Sequence, residues 1–176
     1  LGALDGFSEA ERVADVATMP ELERYVLALL ARLDGTLRAA VDAFDFNAYV
    51  RALTDFCNED LSAFFFDIRK DCLYCDAADS PKRMAYRTVL DTLFHALVRY
   101  AAPVLVFTAE EVWGTRFPDA GSVHLLEWPE GPLAVTPAQA GVHQAAGADG
   151  EMDSGLRRND ELVDEWKSVR IVRNSI

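Results

Sequence analysis

Two cysteines at the spacing of a zinc-binding pair are the first residues whose types suggest chemistry. Cys72 and Cys75 form a Cys-x-x-Cys sequence, but a structural zinc site needs four ligands, usually supplied by two such pairs. Cys57 is the only other cysteine, and His95, His124 and His143 are scattered along the chain. We therefore predict free thiols near a helix end, one of them in the core, and no metal site.

Asp91 and His95 are four residues apart, a spacing that places both side chains on one face of a helix. They could form a hydrogen-bonded pair, but acid–base catalysis of the triad type also needs a nucleophile close by, and the sequence offers none. The phosphate-binding glycine motifs and the Glu-x-x-His pair of di-iron bundles are absent as well. We predict a structural role for the pair and no catalytic residue in this chain; a metal-dependent helical enzyme is the weakest alternative.

Basic and aromatic side chains that lie off the apolar stripes are the candidates for binding. The net charge of −12 argues against a general nucleic-acid surface, because phosphate contacts need Lys and Arg, so any such surface must be a local patch. An arginine fork suits a phosphate group, and a tyrosine can stack or cap the core. The candidates are Arg32, Arg38, Arg69, Lys70, Tyr74, Arg170 and Arg173. For each of them, a solvated surface side chain is the competing interpretation.

Apolar residues at three- and four-residue steps predict the helices that must position these candidates. A first helix is expected after a capping box at Thr18 and Glu21, with an apolar stripe from Leu22 to Phe44. Asp45 offers a fresh cap for a central helix over residues 46–74. Its apolar stripe is Tyr49, Leu53, Cys57, Leu61, Phe64, Ile68 and Cys72.

Ser80 and Pro81 are a typical start for a third helix, which Pro103 ends. A second capping box at Thr108 and Glu111 predicts a short fourth helix, and residues 122–129 are expected to be extended chain packed across the bundle. Leu162, Trp166, Val169 and Ile176 resume helical spacing. The sequence thus predicts an all-α bundle of four to five helices with one extended segment. Trp113, Trp128 and Trp166 are expected to be core anchors.

Three stretches in the right order resemble isoleucyl-tRNA synthetases. They are Met-Pro-Glu-Leu-Glu-Arg-Tyr (residues 19–25), Asp-Leu-Ser-Ala-Phe-Phe-Phe-Asp-Ile-Arg-Lys-Asp-Cys-Leu-Tyr (residues 60–74) and Ala-Pro-Val-Leu-Val-Phe-Thr-Ala-Glu-Glu-Val-Trp (residues 102–113). The third stretch is similar in valine, leucine and isoleucine enzymes, whereas the second points to isoleucine. The resemblance implies the anticodon-binding helical domain. Many family members carry Arg at the position of Cys72, so one candidate phosphate contact is missing here.

The resemblance also implies a domain plan. Residues 1–17 would be the connection from a catalytic domain, residues 18–130 the anticodon-binding bundle, and residues 161–176 the start of a helix leading to a further module. Residues 131–160, rich in Ala, Gly, Pro and Gln, are expected to be an inserted low-complexity loop without a function of its own. Because the chain starts at Leu1 and stops within helical spacing, we expect it to be a fragment.

By the same resemblance, the parent protein is an ATP-dependent isoleucine–tRNA ligase that uses ATP and Mg²⁺. The adenylation signatures His-Ile-Gly-His and Lys-Met-Ser-Lys-Ser are absent, so this chain is expected to be inactive alone and to hold no cofactor. Its implied partners are isoleucine-accepting tRNA and the catalytic and C-terminal modules of the same parent chain. The seven candidates would contact the backbone of the anticodon stem.

The alternative function is a scaffolding or protein-interaction bundle that has no RNA contact of its own. One requirement separates the two: Arg32, Arg38, Arg69 and Lys70 should converge on one side of a tRNA-binding domain. The sequence has no apolar run of eighteen residues and only three cysteines, which predicts a cytoplasmic protein without a membrane contact. We also expect a monomer.

Overall fold

The computed structural model describes residues 1–129, which form an all-α bundle, as the helical spacing predicts. The long helices are α1 (Glu21–Asp42), α2 (Phe46–Asp55), α3 (Asp67–Cys75), α4 (Pro81–Ala101) and α5 (Val106–Arg116). A π-helical segment (Phe56–Phe66) joins α2 to α3 without a break. Short 3-10 turns lie at Gly2–Leu4, Glu9–Glu11, Val16–Thr18 and Val123–Leu125. No strand occurs in this part of the chain.

The stripe of α1 is buried from Leu22 to Ala40, but both predicted capping boxes are wrong. The Thr18 hydroxyl donates to the Asp15 carbonyl (2.7 Å) within a 3-10 turn, and α1 begins after Pro20 without a side-chain cap. Thr108 lies inside α5, which begins two residues earlier. In both places the Thr-x-x-Glu spacing is present, but the backbone turns into the helix at a different residue.

The C-terminal end of the predicted α1 stripe is also wrong. Phe44 lies beyond the end of the helix with φ of 56°, and it is 80% exposed. Asp45 then caps α2 as predicted, because its side chain accepts a hydrogen bond from the amide of Ala48 (3.0 Å).

The central helix is continuous from Phe46 to Cys75, but its π-helical segment changes which residues face the core. A π-helix pairs residue i with residue i+5, so its side chains rotate around the axis more slowly than those of an α-helix. Tyr49, Phe64 and Cys72 of the predicted stripe are buried, whereas Cys57 and Ile68 are half-buried. Phe56 and Phe65, which flank the stripe, are buried instead.

Pro81 is the first residue of α4, and the helix ends before Pro103, both as predicted. Ser80 precedes it but makes no side-chain cap bond. Extended chain was predicted over residues 122–129, but Val123–Leu125 forms a 3-10 turn that the Ser122 side chain caps, and only residues 126–129 run extended across the bundle. The Trp128 ring lies 6.3 Å from the ring of Tyr49 and 5.0 Å from that of Tyr100, while Trp113 is buried beneath α4.

The domain boundaries at residues 17, 130 and 160 stay predictions, and the insert, the last helix and Trp166 lie outside the described residues. Residues 1–17 pack on α4: Glu11 pairs with Arg87 (2.5 Å), and the Val13 amide donates to the Thr88 hydroxyl (3.1 Å). Within residues 1–129, no helix is both long and apolar enough to cross a membrane.

Candidate nucleic-acid interface

Arg69, a central candidate for binding, is held in a buried ion pair. Its guanidinium donates two hydrogen bonds to the Glu23 carboxylate, Nε to Oε1 (2.6 Å) and Nη2 to Oε2 (2.7 Å). The Glu23 side chain is 0% exposed and that of Arg69 only 11% exposed. Glu23 on α1 thus holds one edge of the Arg69 guanidinium in a bidentate pair.

Lys70, the next residue, lies on the surface. Its ammonium donates to Asp67 at 2.9 Å, one turn earlier on α3, and the lysine side chain is 61% exposed. An exposed pair of this kind contributes about 0.3–0.5 kcal/mol, so it can open when a stronger anion approaches.

Tyr74, the last candidate on α3, is 82% exposed. It stands one turn after Lys70 on α3 and lines a shallow cleft of about 220 Å³ together with Arg83 and Arg87. Arg87 is occupied by Glu11, whereas the Arg83 Nε donates only to the Leu73 carbonyl (3.3 Å) and forms no ion pair within residues 1–129. Lys70, Tyr74 and Arg83, which we name the Tyr74 cluster, thus place an exposed lysine and a half-buried arginine beside an exposed aromatic ring.

Sequence reasoning missed Arg83 because it considered each helix separately. Ser80 and Pro81 already placed the start of α4 only a few residues after Tyr74. A short connection makes the last turn of one helix and the first turn of the next neighbours, which is the signal that identifies Arg83.

Arg38 lies near the C-terminal end of α1, and its guanidinium donates to other groups of the bundle. Its guanidinium donates to Asp34 (2.7 Å) and to the Pro129 carbonyl (2.7 Å), and it lies 5.4 Å from the ring centroid of Trp128. The same Asp34 accepts hydrogen bonds from the Tyr100 hydroxyl (2.8 Å) and from the Trp128 indole (2.8 Å). Burial, reinforced by Asp34, raises the pKa of Tyr100. Arg38 therefore fastens the extended segment to the bundle.

The four cations do not converge on one side. Arg32 is exposed, but it follows Glu23 by nine residues, which places it about 180° around α1 from the side that Arg69 contacts. Arg38 lies about 22 Å along α1 from Glu23. Within residues 1–129, Arg32, Arg38, Arg69 and Lys70 therefore do not form the single positive surface that the sequence predicted. Arg170 and Arg173 lie outside the described residues, so their placement stays a prediction.

The Asp91–His95 pair is structural, but its partners differ from those expected. The buried Asp91 carboxylate accepts from Arg12 (2.5 Å) and from Arg116, whereas His95 Nε2 lies 3.8 Å from it. Burial lowers the pKa of His95. The positive charge of Arg116 lowers this pKa further, whereas the negative charge of Asp91 raises it. The lowered pKa favours the neutral imidazole. The Asp91 carboxylate joins the N-terminal segment (through Arg12) and α5 (through Arg116) to α4.

The three cysteines are free, with Cys72 buried, Cys75 exposed and Cys57 between these extremes. Burial raises the pKa of Cys72 to about 11, and the neighbouring Asp76 adds to that effect. In the part of the chain that the structure describes, no three His, Cys, Asp or Glu side chains are grouped for a metal ion.

Known proteins are similar to this chain over most of its length. The family model for the anticodon-binding domain of tRNA ligase matches residues 23–170. The isoleucine–tRNA ligase of Zymomonas mobilis is 67% identical over 135 residues, which cover 74% of this chain and 14% of that protein. Those of Agrobacterium fabrum (46% over 160 residues, 91% and 14%) and Rhodopseudomonas palustris (41% over 177 residues, 100% and 15%) are similar over a longer part. The chain therefore spans about one seventh of the length of these relatives.

Proposed function

The chain belongs to the family of anticodon-binding domains of tRNA ligases, and we propose that it positions the anticodon stem of isoleucine tRNA for an isoleucine–tRNA ligase. The family match over residues 23–170 is the observation that carries this proposal. The names of the relatives support the choice of isoleucine.

The parent ligase would use ATP and Mg²⁺ to activate isoleucine at a site outside this chain. The signatures of that site are absent from residues 1–176. The contribution of the domain is then positional: it holds one end of the tRNA so that the acceptor end reaches the distant catalytic module. We place the ligase in the cytoplasm, as a monomer.

The Tyr74 cluster is the part of the described surface that best suits this task. Lys70 and Arg83 offer positive charge to phosphate oxygens, and the exposed ring of Tyr74 offers a stacking face. Backbone contacts of this kind position the RNA without reading its sequence. Arg69 supports α3 from within, because its Nε and Nη2 donors are used by Glu23. Arg38 does not contribute to the cluster, since it lies at the other end of α1 with its donors on Asp34 and Pro129.

A scaffolding bundle without RNA contact is the second candidate. It is favoured by the net charge of −12 and by the internal pairing of Arg38 and Arg69, which removes two of the expected phosphate contacts. The two functions differ in what they predict for RNA binding at low salt.

A salt titration of this chain with isoleucine tRNA tests the proposal. We expect weak binding that falls steeply with salt, and a similar affinity for a non-cognate tRNA because the contacts are to the backbone. R83Q should reduce affinity at every salt concentration and lower the salt slope by about 1. R51Q is the matched control, since Arg51 is an exposed arginine near the opposite end of the bundle. No binding at low salt would favour the scaffold, whereas equal losses in the two variants would show that the Tyr74 cluster is not the contact site.

A further inference from the structure

One end of the bundle exposes large apolar side chains that residues 1–129 leave uncovered. The α1–α2 corner consists of Val41, Phe44, Phe46 and Val50, which are 39%, 80%, 59% and 40% exposed. The rings of Phe44 and Phe46 meet edge to face, with centroids 6.5 Å apart. Isolated exposed apolar residues are ordinary, but a contiguous group with two aromatic rings marks an interaction surface.

The end of α1 sets the backbone at this corner. Phe44 has φ of 56° because it is the left-handed residue of the turn that ends the helix: its amide donates to the Val41 carbonyl (3.0 Å), and the Asp45 amide donates to the Ala40 carbonyl (2.8 Å). This turn explains the backbone conformation and leaves the Phe44 ring 80% exposed beside Phe46. The uncovered pair of rings is therefore the feature that calls for an occupant.

The chain leaves the described structure beside the same corner. The Pro129 carbonyl accepts a hydrogen bond from Arg38, which stands one turn before Val41 on α1. Trp128 packs on Tyr49, which stands one turn after Phe46 on α2. The residues after Pro129 therefore start next to the exposed rings.

We propose that the α1–α2 corner is the docking surface for residues 162–170 of this same chain, with Trp166 as its anchor. Leu162, Trp166 and Val169 recur at four- and three-residue steps, so a helix there would present one apolar face. The family model continues to residue 170, which makes this segment part of the same domain. Thirty-two residues separate Pro129 from Leu162, so reach imposes no restriction, and the covalent connection raises the effective concentration of the segment.

Acidic side chains at the rim argue against RNA as the occupant. Asp42 and Asp45 flank the exposed rings, and these two carboxylates repel phosphate groups. An RNA backbone is therefore a poorer occupant of this corner, and the Tyr74 cluster lies at the opposite end of the bundle. The charged residues of the segment 162–170 balance one another (Asp164, Glu165, Lys167 and Arg170), so its contact with the corner would depend on the apolar faces.

Fluorine NMR of the whole chain carrying 5-fluorotryptophan tests the proposal without RNA. Three resonances are expected, one for each tryptophan, and W166F assigns that of Trp166. We expect the Trp166 resonance to lie away from the position of unfolded chain and to broaden several-fold less than a free fluoroindole when a soluble paramagnetic agent is added. F44S and F46S should each move it to the unfolded position. The matched control is F107S, which changes an 89%-exposed phenylalanine at the α4–α5 turn and should leave it unchanged.

The Trp113 resonance keeps the test interpretable, because this ring is buried away from the α1–α2 corner and reports whether a variant has folded. As a second measurement, W166A should increase amide hydrogen exchange in residues 44–50 without altering α5. The proposal is overturned by a Trp166 signal at the unfolded position in the parent chain, or by a response to F107S and none to F44S. A signal that changes on dilution would assign the corner to a second copy instead.

Discussion

The buried Glu23–Arg69 pair gives the sharpest test of how this domain uses its arginines. If Arg69 is a structural residue, then R69M destabilises the fold, because it leaves the fully buried Glu23 carboxylate without its two donors. Each charge-assisted hydrogen bond contributes about 1.5–3 kcal/mol, and breaking a buried pair from one side costs about 3–5 kcal/mol. With a urea m-value of about 2 kcal/mol/M, the midpoint should fall by roughly 1.5–2.5 M.

The double variant E23M/R69M separates the pair from its packing. Replacing both charges by methionine keeps much of the volume and removes the unpaired carboxylate, so the double variant should regain most of the stability lost in R69M. The control is K70M: its partner Asp67 is exposed, and we expect a loss below about 0.5 kcal/mol. Urea unfolding followed by far-UV circular dichroism measures all three.

The reasoning about Arg69 would be refuted if R69M unfolded within about 1 kcal/mol of the parent chain and lost tRNA affinity instead. That outcome would return Arg69 to the binding surface and give it the role that the sequence suggested. A large loss of stability in K70M would show that side-chain exposure does not distinguish a strong ion pair from a weak one in this domain.

Three further predictions follow from the caps, a buried tyrosine and the cysteines. D45A should cost about 1 kcal/mol, because Asp45 caps α2, whereas T18A should cost only a few tenths, since Thr18 caps no helix; urea unfolding compares the two, and equal losses would contradict the assigned caps. Burial raises the pKa of Tyr49 from 10.0 to about 12, so the stability that this residue contributes is complete below pH 10 and is lost as the pH rises towards 12. Y49F should therefore reduce the loss of stability between these two pH values in an alkaline unfolding curve. An unchanged curve would argue against a raised pKa of Tyr49. A thiol-specific reagent should modify Cys75 quickly in the native protein and Cys72 only on unfolding, because Cys72 is buried with a pKa raised to about 11; rapid modification of both would place Cys72 at the surface.

Much of the fold was predictable because its information is local. The apolar stripe of α1, the Asp45 cap, Pro81 at the start of α4 and the stop before Pro103 all depend on residues within a turn or two of each other. The capping boxes at Thr18 and Thr108 failed for a related reason. A four-residue motif matches by chance, and only the path of the backbone decides where a helix begins.

The candidate site was less predictable because it depends on distant partners. Nothing near Arg69 in the sequence indicates Glu23, 46 residues away, and nothing near Arg38 indicates Pro129, 91 residues away. The sequence alone predicts that an arginine off the apolar stripe is available to a phosphate. In the bundle, the same arginine is the nearest donor for a buried carboxylate, which needs hydrogen bonds because it is no longer hydrated.

By itself, the sequence determined the all-α class, the start of α2, both ends of α4 and the membership in the anticodon-binding family, since periodicity and motif strings are properties of a linear chain. Only the tertiary structure decided which cations stay on the surface. Packing α1 against α3 enclosed Glu23 and took Arg69 with it, while the α3–α4 connection brought Arg83 beside Tyr74. Burial of one charge dictates the position of its counter-charge, and that requirement acts through space without regard to sequence separation.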